Sequence, residues 1–271
     1  MSRLAARFAE LKTNSKTALI PYVMAADPSP ETTLPLMHAM VKAGADIIEL
    51  GAPFSDPMAD GPVIQAAAER SLAHNTSMHD VFSLVGEFRQ TDDRTPIIVM
   101  GYLNPIEVMG YQSFAQQAAA CGIDGVITVD MPPVEAGDYV PALKAEGLDP
   151  IFLLAPTSTQ ERIKKVAAVA SGFVYYVSLK GVTGAATLDI SSVETKVAKI
   201  KEIIDLPIGV GFGISDAESA AKVATCSDAV VVGSVLVKNM TLNDGNTEPE
   251  RAIIIKKISD ILASMRSALD S

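Results

Sequence analysis

The stretch Asp46-Ile-Ile-Glu-Leu-Gly-Ala-Pro-Phe-Ser-Asp-Pro-Met-Ala-Asp-Gly-Pro62 begins as a short apolar run, Ile47 to Leu50, broken by one carboxylate, Glu49. A run this short between turn residues reads as a buried strand. Gly51, Pro53, Pro57, Gly61 and Pro62 disfavour helix, so the residues up to Pro62 form a loop. Val63 then opens a helical pattern. Strand, loop and helix make the repeating unit of a parallel sheet, because parallel neighbours need a crossover between them.

Outward from this stretch the same unit recurs. Residues 17–23, 96–100, 125–129, 150–154, 173–177, 207–210 and 229–232 are further short apolar runs that read as strands. Helical patterns fill 32–43, 63–89 with a break near Asn75 and Thr76, 111–121, 134–146, 159–170, 193–204, 216–224 and 249–269. Gly44, Gly122 and Gly147 stand where three of these helices must stop. Eight strand–helix units in about 250 residues is the count and size of a (β/α)8 TIM barrel. The opening residues 1–11 add an amphipathic N-terminal helix. A doubly wound sheet would have about five to seven strands and a Gly-rich turn after the first. Here the turn after Val23 has no glycine. No linker is visible, so residues 1–271 read as one TIM-barrel domain with a surface excursion at 243–248.

The net charge of −10 and the lack of a basic stripe argue against a nucleic-acid surface. No apolar run approaches the ~18 residues of a membrane span. Cys121 and Cys226 have no paired spacing, and the N-terminus lacks the apolar centre of a signal peptide. A reduced, cytoplasmic protein is the expectation. His38, His74 and His79 lie in helical patterns without a second ligand at a metal spacing, so no metal site is expected.

A barrel of this kind works at the carboxyl ends of its strands. Glu49 lies at such an end, and the loop after it carries Asp56 and Asp60. A buried carboxyl is expensive unless paired or used. Carboxyl groups in unlike environments have pKa values pushed apart, as acid–base catalysis requires. The same residues also fit a satisfied core acid followed by turn-forming aspartates. Gly181-Val-Thr-Gly184, Gly211-Phe-Gly213 and Gly233-Ser234 follow the last three strands in turn. Glycines let backbone amides approach an anion closely, so as a set these turns describe a phosphate cradle without Lys or Arg.

The 49–62 motif closely resembles the signature of the tryptophan synthase alpha subunit family. So do Tyr175 with Ser178-Leu-Lys-Gly-Val-Thr-Gly184, Val210-Gly-Phe-Gly-Ile-Ser215 and Gly233-Ser234. The resemblance runs in order from about residue 5 to about residue 265. It implies retro-aldol cleavage of indole-3-glycerol phosphate to indole and D-glyceraldehyde 3-phosphate. It implies a beta subunit too, joined in an alpha2beta2 heterotetramer, whose pyridoxal phosphate turns indole into tryptophan. No cofactor is expected in this chain. By the same resemblance Glu49 and Asp60 are the catalytic acids and Tyr175 stands beside Glu49. Gly184, Gly211, Gly213, Gly233 and Ser234 hold phosphate, with Phe212 beside them. Thr183 orders Asp60, and Asp56 and Pro57 face the partner. Tyr22 and Met100 stand at indole-pocket positions where family members carry Phe and Leu, and Ile127, Val129 and Leu153 complete the slot or belong to barrel core.

Two rival readings are weaker. A sugar-phosphate epimerase commonly needs metal-binding histidines at its strand ends, and a barrel cyclase wants an Asp ending the first strand, where this chain has Met24-Ala-Ala-Asp27. A scaffolding subunit with vestigial catalysis has no need of two acids at the base of an apolar pocket.

Overall fold

The computed structural model describes residues 2–178, 190–211 and 213–271. Eight strands close into a barrel in sequence order, every neighbouring pair parallel. They are β1 (Ala18–Met24), β2 (Ile48–Gly51), β3 (Ile97–Gly101), β4 (Gly125–Thr128), β5 (Asp149–Leu154), β6 (Val174–Val177), β7 (Ile208–Gly211) and β8 (Ala229–Val232). Alternate residues face opposite sides of a strand. Ile20, Ile98, Ile127, Ile151, Phe173 and Val231 therefore fill the interior, while Leu19, Leu50, Val99, Val126, Tyr176 and Val230 lie in the larger cluster under the helices. Both sets are apolar, which is why these strands read as continuous rather than alternating runs.

The helix Arg3–Thr13 plugs the amino end of the barrel. Its Leu4, Phe8 and Leu11 join the interior cluster, and Phe8 packs on Phe173 with ring centroids 5.7 Å apart. Around that end, three aspartates standing just before even-numbered strands each accept a backbone N–H from the strand before. Asp46 takes Leu19 at 2.8 Å, Asp124 takes Ile97 at 2.8 Å and Asp228 takes Ile208 at 2.9 Å. Each is also paired with cations: Asp46 with Arg7 and Arg266, Asp124 with Arg3 and Arg89, Asp228 with Lys201. Such repeated pairing ties the amino ends of the strands to one another and to the first and last helices.

The helices depart from the sequence expectation in three places. The segment expected to be helical over 134–146 is helical only over Tyr139–Ala145. Pro132 and Pro133 lack donors and Gly137 disfavours helix, while Tyr139 starts the helix by burying its hydroxyl against that of Thr128 at 2.6 Å. Two short helices, Leu103–Met109 and Ser234–Met240, occupy stretches to which the sequence pattern assigns no element. Their length gives too few turns for a periodic signal. Among the described residues, no helix is long and apolar enough to cross a membrane.

Candidate active site

Glu49 lies on β2 with 1% of its surface exposed, opposite Tyr22 of β1 and Ile98 of β3. Its Oε2 is buried and has no hydrogen-bond partner among the described residues. Burial, and then the neighbouring charge of Asp60, push the carboxyl up to about 8. Taking a charge out of water without pairing it disfavours the charged form, so at neutral pH Glu49 holds a proton. Among the described residues, Glu49 Oε2 thus lacks the partner that a satisfied core acid would have.

Asp60 ends the loop after β2 and is half-buried. Burial raises its pKa as well, and the Tyr102 hydroxyl opposes that rise by hydrogen-bonding the charged form. The loop is held from several sides. Ala59 N–H donates to the Tyr102 hydroxyl at 3.0 Å, Phe54 stacks on the Tyr102 ring at 5.1 Å, and Gln65 Nε2 donates to the Asp60 carbonyl at 2.9 Å. Gln65 belongs to the helix Pro62–Ala73, which also clamps the loop after β1. There Arg70 grips the buried Asp27 at 2.6 and 2.9 Å, and Ser71 Oγ donates to the Ala25 carbonyl at 2.6 Å. Sequence reasoning missed Tyr102. Its signal was its place directly after the end of β3.

Two tyrosines lean over the barrel mouth on glycines. A Cβ built at Gly51 would collide with the Tyr22 hydroxyl, and one at Gly211 with the Tyr175 hydroxyl. Only glycine permits these approaches. Burial first, and then nearby carboxylate charge, raise both phenols well above their ordinary value; Glu49 acts on both and Asp60 acts on Tyr22. Met100, Val129, Leu153 and Tyr175 pack on the interior cluster that contains Ile127. Gly211 ends β7, Gly213 turns the chain at φ +76°, and Gly233 and Ser234 lead from β8 into the helix Ser234–Met240. Tyr22 Cβ lies 3.5 Å from the place a Gly233 Cβ would take, so this ring spans from the last glycine turn toward Gly51 and β2. Asp56 is exposed and Pro57 half-exposed, on the outer side of the loop that carries Asp60. Thr183, Gly184 and Phe212 lie outside the described residues. Among the described residues no group of three His, Cys, Asp or Glu side chains is placed to hold a metal ion.

A buried carboxyl in an apolar barrel mouth, with a second acid on a braced loop and glycine turns across from it, is an arrangement suited to acid–base chemistry in a TIM barrel. The sequence model of the tryptophan synthase alpha chain matches residues 8–264. The chain is 58% identical over 270 residues to the tryptophan synthase alpha chain of Thioalkalivibrio sulfidiphilus, covering 100% of each. Its fold superposes on the crystal structure of tryptophan synthase subunit alpha from Legionella pneumophila with a TM-score of 0.91 at 44% identity, covering 100% of this chain and 99% of that one. A chain of the tryptophan synthase complex from Pyrococcus furiosus matches with a TM-score of 0.81 at 34% identity, over 92% of this chain and 98% of that one. The chain belongs to the tryptophan synthase alpha chain family.

Proposed function

We propose that Glu49 and Asp60 perform the reaction of this family's alpha subunit, the cleavage of indole-3-glycerol phosphate to indole and glyceraldehyde 3-phosphate. The chain is a carbon–carbon lyase that passes indole to a beta subunit for tryptophan synthesis. The observation that carries the residue roles is the burial of Glu49, with Oε2 unpartnered among the described residues and the carboxyl pushed up to about 8.

The bond to be broken joins an indole ring carbon to the glycerol phosphate side chain. It breaks once that ring carbon becomes tetrahedral, which requires a proton. Neutral Glu49 donates it. Positive charge then develops at the ring nitrogen, and ionised Asp60 accepts the ring N–H hydrogen bond and stabilises that charge. Glu49, now a carboxylate, takes the proton of the side-chain hydroxyl. The carbon–carbon electron pair returns to the ring, the hydroxyl carbon becomes the aldehyde, and Glu49 ends protonated as it began. Tyr22, Met100, Ile127, Val129, Leu153, Tyr175 and Phe212 line the indole slot. Gly184, Gly211, Gly213, Gly233 and Ser234 hold the phosphate, and Thr183 acts on Asp60 from the loop after β6. The chain itself takes no cofactor into these steps; pyridoxal phosphate belongs to the beta subunit.

The partner's place is supported by the mouth's rim. Met58, Val108 and Val134 are 81%, 80% and 62% exposed, and they stand after β2, β3 and β4 in turn. Large apolar side chains grouped on one rim mark a docking surface. Met58 lies between Pro57 and Asp60, so a beta subunit that covers Asp56, Pro57 and Met58 acts on the loop that positions Asp60. The test is indole release from indole-3-glycerol phosphate, with and without a beta subunit. Release by the chain, raised about tenfold or more by the partner, is expected, which is ~1.4 kcal/mol or more of barrier. No indole under either condition contradicts the assignment.

A further inference from the structure

We propose that Tyr102 is a positioning residue for the reaction, holding Asp60 in place through its hydroxyl and tying that place to the loops after β3 and β4. This rests on the role of Asp60 given above. Tyr102 follows β3 directly, is buried, and begins the helix Leu103–Met109. It grips the β2 loop twice. Its ring lies on Phe54 with centroids 5.1 Å apart, and its oxygen accepts the Ala59 N–H at 3.0 Å. Accepting that N–H fixes the backbone next to Asp60 and leaves the hydroxyl proton free, on the side where it favours the charged form of the Asp60 carboxyl. One side chain thus sets both ends of the segment 54–60.

The neighbouring peptide continues the connection. Leu103 N–H donates to Asp130 Oδ1 at 2.8 Å, just beyond β4. Contacts therefore run from the loop carrying Val134, through the helix carrying Val108, to the loop carrying Met58 and Asp60. Pressure on that rim reaches Asp60 through Tyr102.

Among the described residues, the ionisable groups that face Asp60 are Glu49 from β2, Tyr22 from β1 and Tyr102 after β3, while Asp130 faces the phenol from beyond β4. None is a cation. Burial pushes the Asp60 pKa up and the Tyr102 hydroxyl is what pulls it down. Tyr102→Phe keeps the ring against Phe54 and removes only the hydroxyl. Without it the Asp60 pKa rises further, so the acid limb of the kcat–pH profile moves to higher pH.

The experiment compares wild type, Asp60→Asn and Tyr102→Phe in indole release across pH, with amide hydrogen exchange at Ala59 as a readout independent of turnover. The expected result for Tyr102→Phe is an acid limb about one pH unit higher, the loss from one hydrogen bond to a charged group. A kcat about tenfold lower at neutral pH, KM within about twofold of wild type and faster exchange at Ala59 accompany it. A Tyr102→Phe profile that superimposes on wild type after scaling, with the Ala59 amide still protected, overturns the positioning role and leaves the reaction standing. A wild type that releases no indole, or an Asp60→Asn chain as active as wild type, overturns the role of Asp60 and this inference with it.

Discussion

Asp46 stands two residues before β2 and Glu49 within it, three positions further on, and both are buried, at 4% and 1% exposure. Asp46 is fully engaged. It accepts the Leu19 N–H at 2.8 Å and pairs with Arg7 at 2.6 Å and Arg266 at 3.0 Å. Glu49 has a buried oxygen with no partner at all among the described residues. The same chemical group is therefore a charged tie at the amino end of the barrel and an uncharged acid at the carboxyl end. A buried charge persists only where partners replace water. Where none are supplied, the group keeps its proton, and a proton held near neutral pH is what general acid catalysis requires. The division of labour in this fold, stability below and chemistry above, is written here in two carboxylates three positions apart, one just before β2 and one within it.

The largest expected effect is on catalysis. Glu49→Gln keeps the shape and cannot carry a proton, so indole formation should fall by ~10²–10⁴. Steady-state indole release by the purified variant checks this, and turnover near wild type would break the comparison at its upper end.

The second effect is on stability, and its sign should differ between the two ends. Asp46→Ala removes the shared acceptor of the part-buried Arg7 and Arg266 and of the buried Leu19 N–H, which should cost about 1.5–3 kcal/mol. Indole release at a temperature where the variant stays folded should be close to wild type. Glu49→Gln should instead stabilise. The folded pKa of Glu49 is raised from an ordinary 4.5 to about 8. Between these values the unfolded chain gives up a proton that the folded chain keeps, so wild-type stability declines across this window. Below pH 4.5 both states are protonated and the variant should match wild type. Above pH 8 the gap should be largest, up to about 5 kcal/mol, since each pKa unit is worth about 1.4 kcal/mol. Urea denaturation of the three proteins at several pH values measures both signs. A Glu49→Gln variant less stable than wild type at pH 9 would mean that Glu49 is a structural tie like Asp46.

The barrel was legible because its strands are short runs buried on both faces, separated by helical stretches and stop signals such as Gly44 and Gly122. The acid-bearing loop was legible for the same reason, since proline and glycine punctuate it from Gly51 to Pro62. Pairing was not legible, because it is made across the chain. Arg7 and Arg266 lie 39 and 220 residues from Asp46, so nothing near Asp46 distinguishes it from Glu49. Tyr102 was hidden in the same way, its contacts to Ala59 and Phe54 being set by the closure of β2 against β3. The helices Leu103–Met109 and Ser234–Met240 are each too short to show a period.

The protonation state of Glu49 is measured most directly by carbon-13 NMR of its side-chain carboxyl in the wild-type chain, assigned by loss of the signal in Glu49→Gln and followed from pH 4 to pH 10. Glu49 and Asp60 interact, so the curve belongs to the pair and should contain two steps. The step that dominates the Glu49 signal is expected near pH 8. A single midpoint near the ordinary 4.5 would show a carboxylate already charged at neutral pH, and the contrast with Asp46 would be lost.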